Sequence, residues 1–113
     1  MDVDPHSLVF GALSSATRRR ILDVLKAQPG CSVNDVASHF EMSRIAVMKH
    51  LKVLEGAGLV LSRKEGRRRV LHFNPVPIQE IYDRWTTEFS KHWAARMTRV
   101  KYVVEAQGDS DER

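Results

Sequence analysis

Cysteine and long apolar runs are scarce in this chain of 113 residues. Its one cysteine, Cys31, excludes a disulfide within the chain. No apolar run approaches the roughly 20 residues that a membrane-spanning helix needs. Residues 1–6 are acidic and lack the basic-then-apolar order of a secretion signal. We therefore expect a cytoplasmic protein without structural disulfides.

The composition is that of one ordinary globular domain, which we predict over residues 1–107 with a disordered polar tail at 108–113. The net charge of +4 is only mildly basic, so the placement of the cations decides what it means. No nucleophile–base pair, glycine-rich phosphate loop or pair of carboxylates stands out, and an enzyme is not expected.

Residues 43–57 have the pattern of a helix with two unlike faces. Ser43 is a good N-cap, and Gly58 provides a left-handed stop. One face is apolar at helical spacing and consists of Val47, Leu51 and Leu54. The other face combines cations with apolar groups and consists of Arg44, Ile45, Met48, Lys49 and Lys52. Such a face is typical of a helix that lies in the major groove of DNA.

A shorter helix is predicted immediately before this one. Ser32 and Asp35 have the spacing of a capping box, and a buried apolar stripe continues to Phe40. Glu41 and Met42 leave room for only a tight connection. Helix, short turn and helix together predict a helix-turn-helix unit in which residues 43–57 are the recognition helix.

Two strand-like runs follow, at residues 59–64 and 67–73. Glu65-Gly66 between them predicts a hairpin turn, because glycine accepts a positive φ. The hairpin, or wing, carries one acid and five cations between residues 63 and 69, namely Arg63, Lys64, Arg67, Arg68 and Arg69. Because these cations repel one another, we expect an anionic partner, the DNA backbone.

The order of these elements resembles the ArsR/SmtB-type winged helix-turn-helix regulators of bacteria. The similarity rests on the residues at 16–25, on Lys-Val-Leu-Glu-Gly-Ala-Gly-Leu-Val at 52–60 and on Arg-Lys-Glu-Gly-Arg-Arg at 63–68. It implies a mainly α fold with a small β-hairpin wing, and a homodimer that regulates transcription, usually as a repressor. Since a dimer would hold its recognition helices about one DNA turn apart, we expect a palindromic operator.

The predicted site residues have distinct roles. Lys49, Lys52 and the wing cations would bind phosphate, as would Ser43 at the helix N-terminus. Arg44 is the candidate for a guanine contact. A further run, at residues 18–20, consists of three arginines; we interpret it as a solvated helix surface and leave it out of the site.

Ile45 and Met48 would contact thymine methyl groups. The resemblance implies serine at these two positions in many members, which suggests an A·T-biased site as a hypothesis. The alternative is a helix rotated so that one of the two side chains packs inward.

The segment from Ile78 to about Ala106 lacks glycine and proline, and its apolar residues recur every three or four positions. A helix of that length spans on the order of 40 Å, more than a small domain can cover. We expect a second copy to cover it together with the first helix. The predicted interface residues are Leu8, Val9, Trp85, Phe89, Trp93, Met97 and Val100. The alternative is a helix that folds back on its own domain.

The resemblance implies that many members of the family sense metals. We do not expect metal sensing in this chain, and we predict no cofactor. Ser32 and Asn34 stand where the family's metal box has its two cysteines, and Cys31 falls one residue early. Serine and asparagine do not replace thiolates for soft metals. Glu88 and His92, one helical turn apart, leave a zinc-responsive repressor as an alternative. A winged helix that binds protein or RNA is the alternative of another class.

Overall fold

The structure is a computed structural model that describes residues 4–87 and 96–97. The chain divides into two compact units, Met1–Gln79 and Glu80–Arg113. The helices of the first unit are α1 (Pro5–Leu13), α2 (Ala16–Ala27), α3 (Val33–Ala37) and α4 (Arg44–Gly56). Its strands are β1 (Cys31–Ser32), β2 (Val60–Glu65) and β3 (Arg68–Phe73). A further helix, α5, covers residues 76–87.

Serine side chains cap α2 and α4, and the cap of α4 is the one that the sequence predicts. The hydroxyl of Ser15 accepts the backbone N–H of Arg18 at 3.2 Å. The hydroxyl of Ser43 accepts the N–H of Ala46 at 3.1 Å. Each bond satisfies a donor that the first helical turn leaves without a backbone partner.

Helix α3 is shorter than predicted. Its capping box is present, with Ser32 and Asp35 each accepting the other's backbone N–H, at 3.1 and 2.9 Å. After Ala37 the chain tightens, because the N–H groups of His39 and Phe40 bond carbonyls only three residues back. The predicted extension of the helix to Phe40 is therefore wrong, and the Phe40 side chain is half-buried.

The wing belongs to a three-stranded antiparallel sheet with the order β1-β3-β2. Strand β1 pairs with β3 through Cys31 and Leu71, and through Ser32 and Val70. Sequence reasoning predicts only the hairpin, because two residues are too few to show an alternating pattern.

The hairpin turn lies one residue later than predicted. Glu65 pairs with Arg68, which leaves Gly66 and Arg67 as the two turn residues. Gly66 has a φ of +62°, the left-handed conformation that glycine adopts without strain.

The core of the first unit contains the predicted apolar face of α4, since Val47, Leu51 and Leu54 are all buried. Val9, a predicted dimer-interface residue, is only 3% exposed and packs in the core of its own chain. It shares the inward face of α1 with Ala12, because residues three apart lie on one side of a helix. The prediction that Val9 contacts a second copy is therefore wrong.

The second unit is helical at its described residues, 80–87 and 96–97. Three large apolar side chains are exposed there, those of Tyr82, Trp85 and Met97. The remaining C-terminal predictions lie outside the described residues: the interface residues Phe89, Trp93 and Val100, the Glu88/His92 pair and the tail at 108–113. Across the described part of the chain, no helix combines the length and apolar character of a membrane span.

Candidate nucleic-acid interface

The burial of one face of α4 determines which side chains point outward. Arg44, Lys49 and Lys52 are exposed on the opposite face, as predicted. Ile45 is 68% exposed and Met48 is 40% exposed. The alternative of a rotated helix that turns either side chain into the core is therefore excluded.

The Arg44 side chain is held by a neighbouring helix. Its Nε donates to the Oδ1 of Asn34 at 2.8 Å, and its Nη1 lies 3.4 Å from the sulfur of Met48. Asn34 is the second residue of α3, so one arginine of the recognition helix is oriented by the preceding helix of the helix-turn-helix. Sequence reasoning misses this role, because the sequence marks Asn34 only as a replacement for a metal-binding cysteine.

Two of the wing cations form ion pairs with carboxylates, one of which lies outside the wing. Arg63 pairs with Glu65 within the hairpin. Arg68 Nη2 donates to the Oδ2 of Asp35 at 3.3 Å, which links the wing to α3. The backbone N–H of Ser32 is the main cause that lowers the pKa of Asp35, followed by the Ser32 hydroxyl, and Arg68 adds to the effect. Asp35 is thus an ionised group beside the basic wing.

A cavity of about 380 Å³ lies where α3, α4 and the wing meet. Four of the seven residues that line it are arginines, and the lining consists of Ser32, Val33, Asn34, Arg44, Arg67, Arg68 and Arg69. Cations gathered in a cleft produce a positive potential that attracts an anion. The predicted phosphate-binding wing and the predicted base-reading helix therefore meet at one basic surface.

The arginine run on α2 has partners within the protein. Arg18 and Arg19 donate to the last carbonyls of α1 at 2.6 to 3.1 Å. The guanidinium of Arg20 lies over the ring of Phe40, 4.9 Å from its centroid. Arg18 also lies within hydrogen-bonding distance of His50, whose side chain is half-buried.

The metal-box segment serves hydrogen bonding and packing. Ser32 caps α3, Asn34 accepts from Arg44, and Cys31 is buried in β1. Burial raises the pKa of the Cys31 thiol, and the charge of Asp35 raises it further, so its reactive thiolate is disfavoured. Within residues 4–87 and 96–97, no three His, Cys, Asp or Glu side chains come together as a metal site.

A capped helix that exposes cations and apolar groups beside a basic hairpin defines a winged helix-turn-helix protein. Residues 13–63 match the family described as "Helix-turn-helix domain" (HTH_20). The chain is 34% identical over 98 residues to the HTH-type transcriptional regulator Rv2034 of Mycobacterium tuberculosis, covering 87% of each chain. It is 32% identical over 81 residues to the transcriptional repressor SdpR of Bacillus subtilis, covering 72% of this chain and 88% of that protein.

Solved structures agree with these relatives. An ArsR-like transcriptional regulator from Rhodococcus sp. RHA1 superposes with a TM-score of 0.67 at 30% identity, covering 90% of this chain and 92% of that one. A homodimeric winged helix-turn-helix DNA-binding domain from Mycobacterium bovis superposes with a TM-score of 0.60 at 27% identity, covering 80% and 82%. The chain belongs to the ArsR family of winged helix-turn-helix transcriptional regulators.

Proposed function

We propose that this regulator is a sequence-specific repressor that binds an imperfect palindrome as a homodimer, through α4 and the wing. The observation that carries the proposal is the basic cavity at their junction, beside the exposed face of α4. DNA supplies phosphates for such a cavity and base edges for the adjacent helix.

Within this function, phosphate contacts set the position of the protein and base contacts select the sequence. Lys49, Lys52 and the wing cations Arg63, Lys64, Arg67, Arg68 and Arg69 contact phosphates. Ser43 caps the N-terminus of α4, where the helix dipole favours an anion such as a DNA phosphate. Arg44 contacts guanine, a pairing worth about 1–3 kcal/mol of discrimination when it is bidentate.

Ile45 and Met48 supply the apolar part of the reading surface. Both are exposed on the face of α4 that also carries Arg44, Lys49 and Lys52, which supports contact with a ligand that has apolar groups of its own. Thymine methyl groups in the major groove fit that requirement. We therefore expect A·T pairs within the half-site, next to the guanine contacted by Arg44.

The homodimer is supported by exposed apolar side chains in each of the two units. In the first unit these include Leu8 and Phe10 on α1, and in the second they include Tyr82, Trp85 and Met97. Leu8, Trp85 and Met97 remain predicted interface residues. The homodimeric Mycobacterium bovis relative supports the same state. Repression follows when a bound dimer covers promoter DNA. The similarity to the transcriptional repressor SdpR supports repression over activation.

In vitro selection of random duplex DNA by the purified protein tests the proposal. We expect enrichment of an inverted repeat whose half-sites lie about one helical turn apart. Sedimentation at micromolar concentration should give the mass of a dimer. A monomer, or equal binding of selected and random duplexes at low salt, would contradict the proposal. Preference for structured RNA at matched salt would favour the RNA-binding alternative.

A further inference from the structure

The first turn of α3 presents two neighbouring acceptors to two arginines of the basic surface. Asn34 accepts from Arg44 of α4 at 2.8 Å, and Asp35 accepts from Arg68 of the wing at 3.3 Å. All four side chains are exposed. One acceptor is neutral and the other is charged, which gives the two contacts different consequences for binding.

The contact with Asn34 uses a particular edge of the Arg44 guanidinium. Because Nε is engaged, the end of the side chain that carries Nη1 and Nη2 is the edge available for a bidentate contact. The Nη1 neighbour, the sulfur of Met48, is a weak acceptor that a stronger one displaces. Guanine offers two strong acceptors, O6 and N7, spaced for such a pair of donors.

A neutral acceptor suits this task. An arginine that is free to rotate must lose rotamer freedom when it binds, and an arginine already held by a neighbour loses less. Asn34 restricts the Arg44 side chain through a hydrogen bond and, because the amide is neutral, does not offset its positive charge. A carboxylate would also hold the arginine, but it would place a negative charge beside the DNA.

Asp35 shows the contrasting case one residue further on. It already accepts the backbone N–H of Ser32 at 2.9 Å, so its carboxylate is fixed beside Arg68. A phosphate that approaches Arg68 must do so against this negative charge. Phosphate contacts carry no base information, so the influence of Asp35 is the same for every DNA sequence.

We propose that Asn34 is a positioning residue for sequence recognition, which holds Arg44 in the orientation that reads guanine. This inference rests on the proposed function. Asn34 is not itself a base-contacting residue in this scheme, because it acts through Arg44.

The test compares Asn34→Ala with the matched variant Asp35→Asn, which retains a side-chain oxygen for the Ser32 N–H. Affinities are measured for the selected operator and for operators with each guanine replaced. A bidentate pair supplies roughly 5- to 150-fold discrimination. We expect Asn34→Ala to lose about half of that free energy at one guanine per half-site, a loss of roughly two- to twelvefold. Asp35→Asn should strengthen binding to all operators equally and leave the ranking of bases unchanged.

Two further variants separate positioning from a general structural effect. Asn34→Asp keeps the acceptor, so it should retain the wild-type ranking of bases while its added charge weakens binding to every operator. In an Arg44→Ala background, Asn34→Ala should cause no additional loss of discrimination, since its effect passes through Arg44. Circular dichroism of each variant verifies folding.

Full guanine discrimination in a folded Asn34→Ala protein would overturn the inference and leave the proposed function intact. So would an equal further loss in the Arg44→Ala background. A wild-type protein without any preference among duplexes would instead overturn the proposed function, and the inference with it.

Discussion

The Nη1 of Arg18 lies 3.4 Å from the Nδ1 of His50, so one side chain of α2 contacts the recognition helix α4. The same guanidinium donates from Nε to the carbonyl of Ala12 at 2.8 Å and from Nη2 to that of Gly11 at 3.1 Å. The last turn of α1 and the middle of α4 are therefore linked through one side chain. Since α1 also exposes Leu8, the link joins a proposed dimer helix to a proposed reading helix.

Replacing Arg18 by glutamine should lower the free energy of unfolding by about 1–3 kcal/mol, because the hydrogen bonds of a charged donor are removed. Urea denaturation measures the change. Arg19→Gln is the matched control, since Arg19 has one exposed hydrogen bond, to the carbonyl of Leu13. The control should change the free energy of unfolding by less than about 1 kcal/mol. Equal decreases in the two variants would contradict the role assigned to Arg18.

Two adjacent residues of α4 test its orientation. Leu54 is fully buried, so Leu54→Ala should lower the free energy of unfolding by about 2–5 kcal/mol, because it removes packing and leaves a cavity. Val53 is 44% exposed, and Val53→Ala should change the free energy of unfolding by less than about 1 kcal/mol. Thermal or urea unfolding of both variants provides the comparison. A reversed order would show that the face assigned to the core is wrong.

The double replacement of Ile45 and Met48 by serine should alter the preferred base pairs in a selection experiment. Removing both apolar groups removes the proposed methyl contacts, so fewer A·T pairs should be enriched at those positions. Because both side chains are exposed, the free energy of unfolding should stay within about 0.5 kcal/mol per substitution. An unchanged preference would refute the thymine contacts.

Arg67 lies in the hairpin turn and lines the basic cavity. Arg67→Gln should reduce the slope of log affinity against log salt by about 0.9 for each phosphate that is no longer neutralised, or about 2 for a dimer. Affinity measurements between 50 and 200 mM salt test this. Lys26→Gln on α2 removes the same charge away from the proposed DNA surface and should leave the slope nearly unchanged. Identical slopes for wild type and Arg67→Gln would show that Arg67 does not contact a phosphate.

The ionised Asp35 side chain should make the stability of the protein sensitive to acid. Its pKa is lowered in the folded protein, chiefly by the backbone N–H of Ser32. A carboxylate with a lowered pKa stabilises the fold above its unfolded pKa, and this contribution is lost as the pH falls through the folded value. Below about pH 4, wild type should therefore lose more stability than Asp35→Asn, which has no group to protonate there. Parallel pH profiles of the two proteins would contradict this assignment.

Much of the fold is predictable because its signals are local. Ser15 and Ser43 cap helices through atoms three residues away, and Gly66 allows the turn of the wing. The errors have equally local causes. Strand β1 is too short for a pattern, and Val9 cannot be assigned to one side of α1 from sequence because its neighbours Leu8 and Phe10 are also apolar.

By itself, the sequence determined the boundaries of α3 and α4 to within a few residues, the inward face of α4 and the concentration of cations on the wing. These depend on periodicity, capping and turn chemistry, which act over a few residues. Only the tertiary structure decided which acceptors hold those cations. Asn34 and Arg44 are 10 residues apart in the chain, and Asp35 and Arg68 are 33 apart. Such pairs meet only after the helices and the sheet have packed on a common core, which brings α3 beside both α4 and the wing.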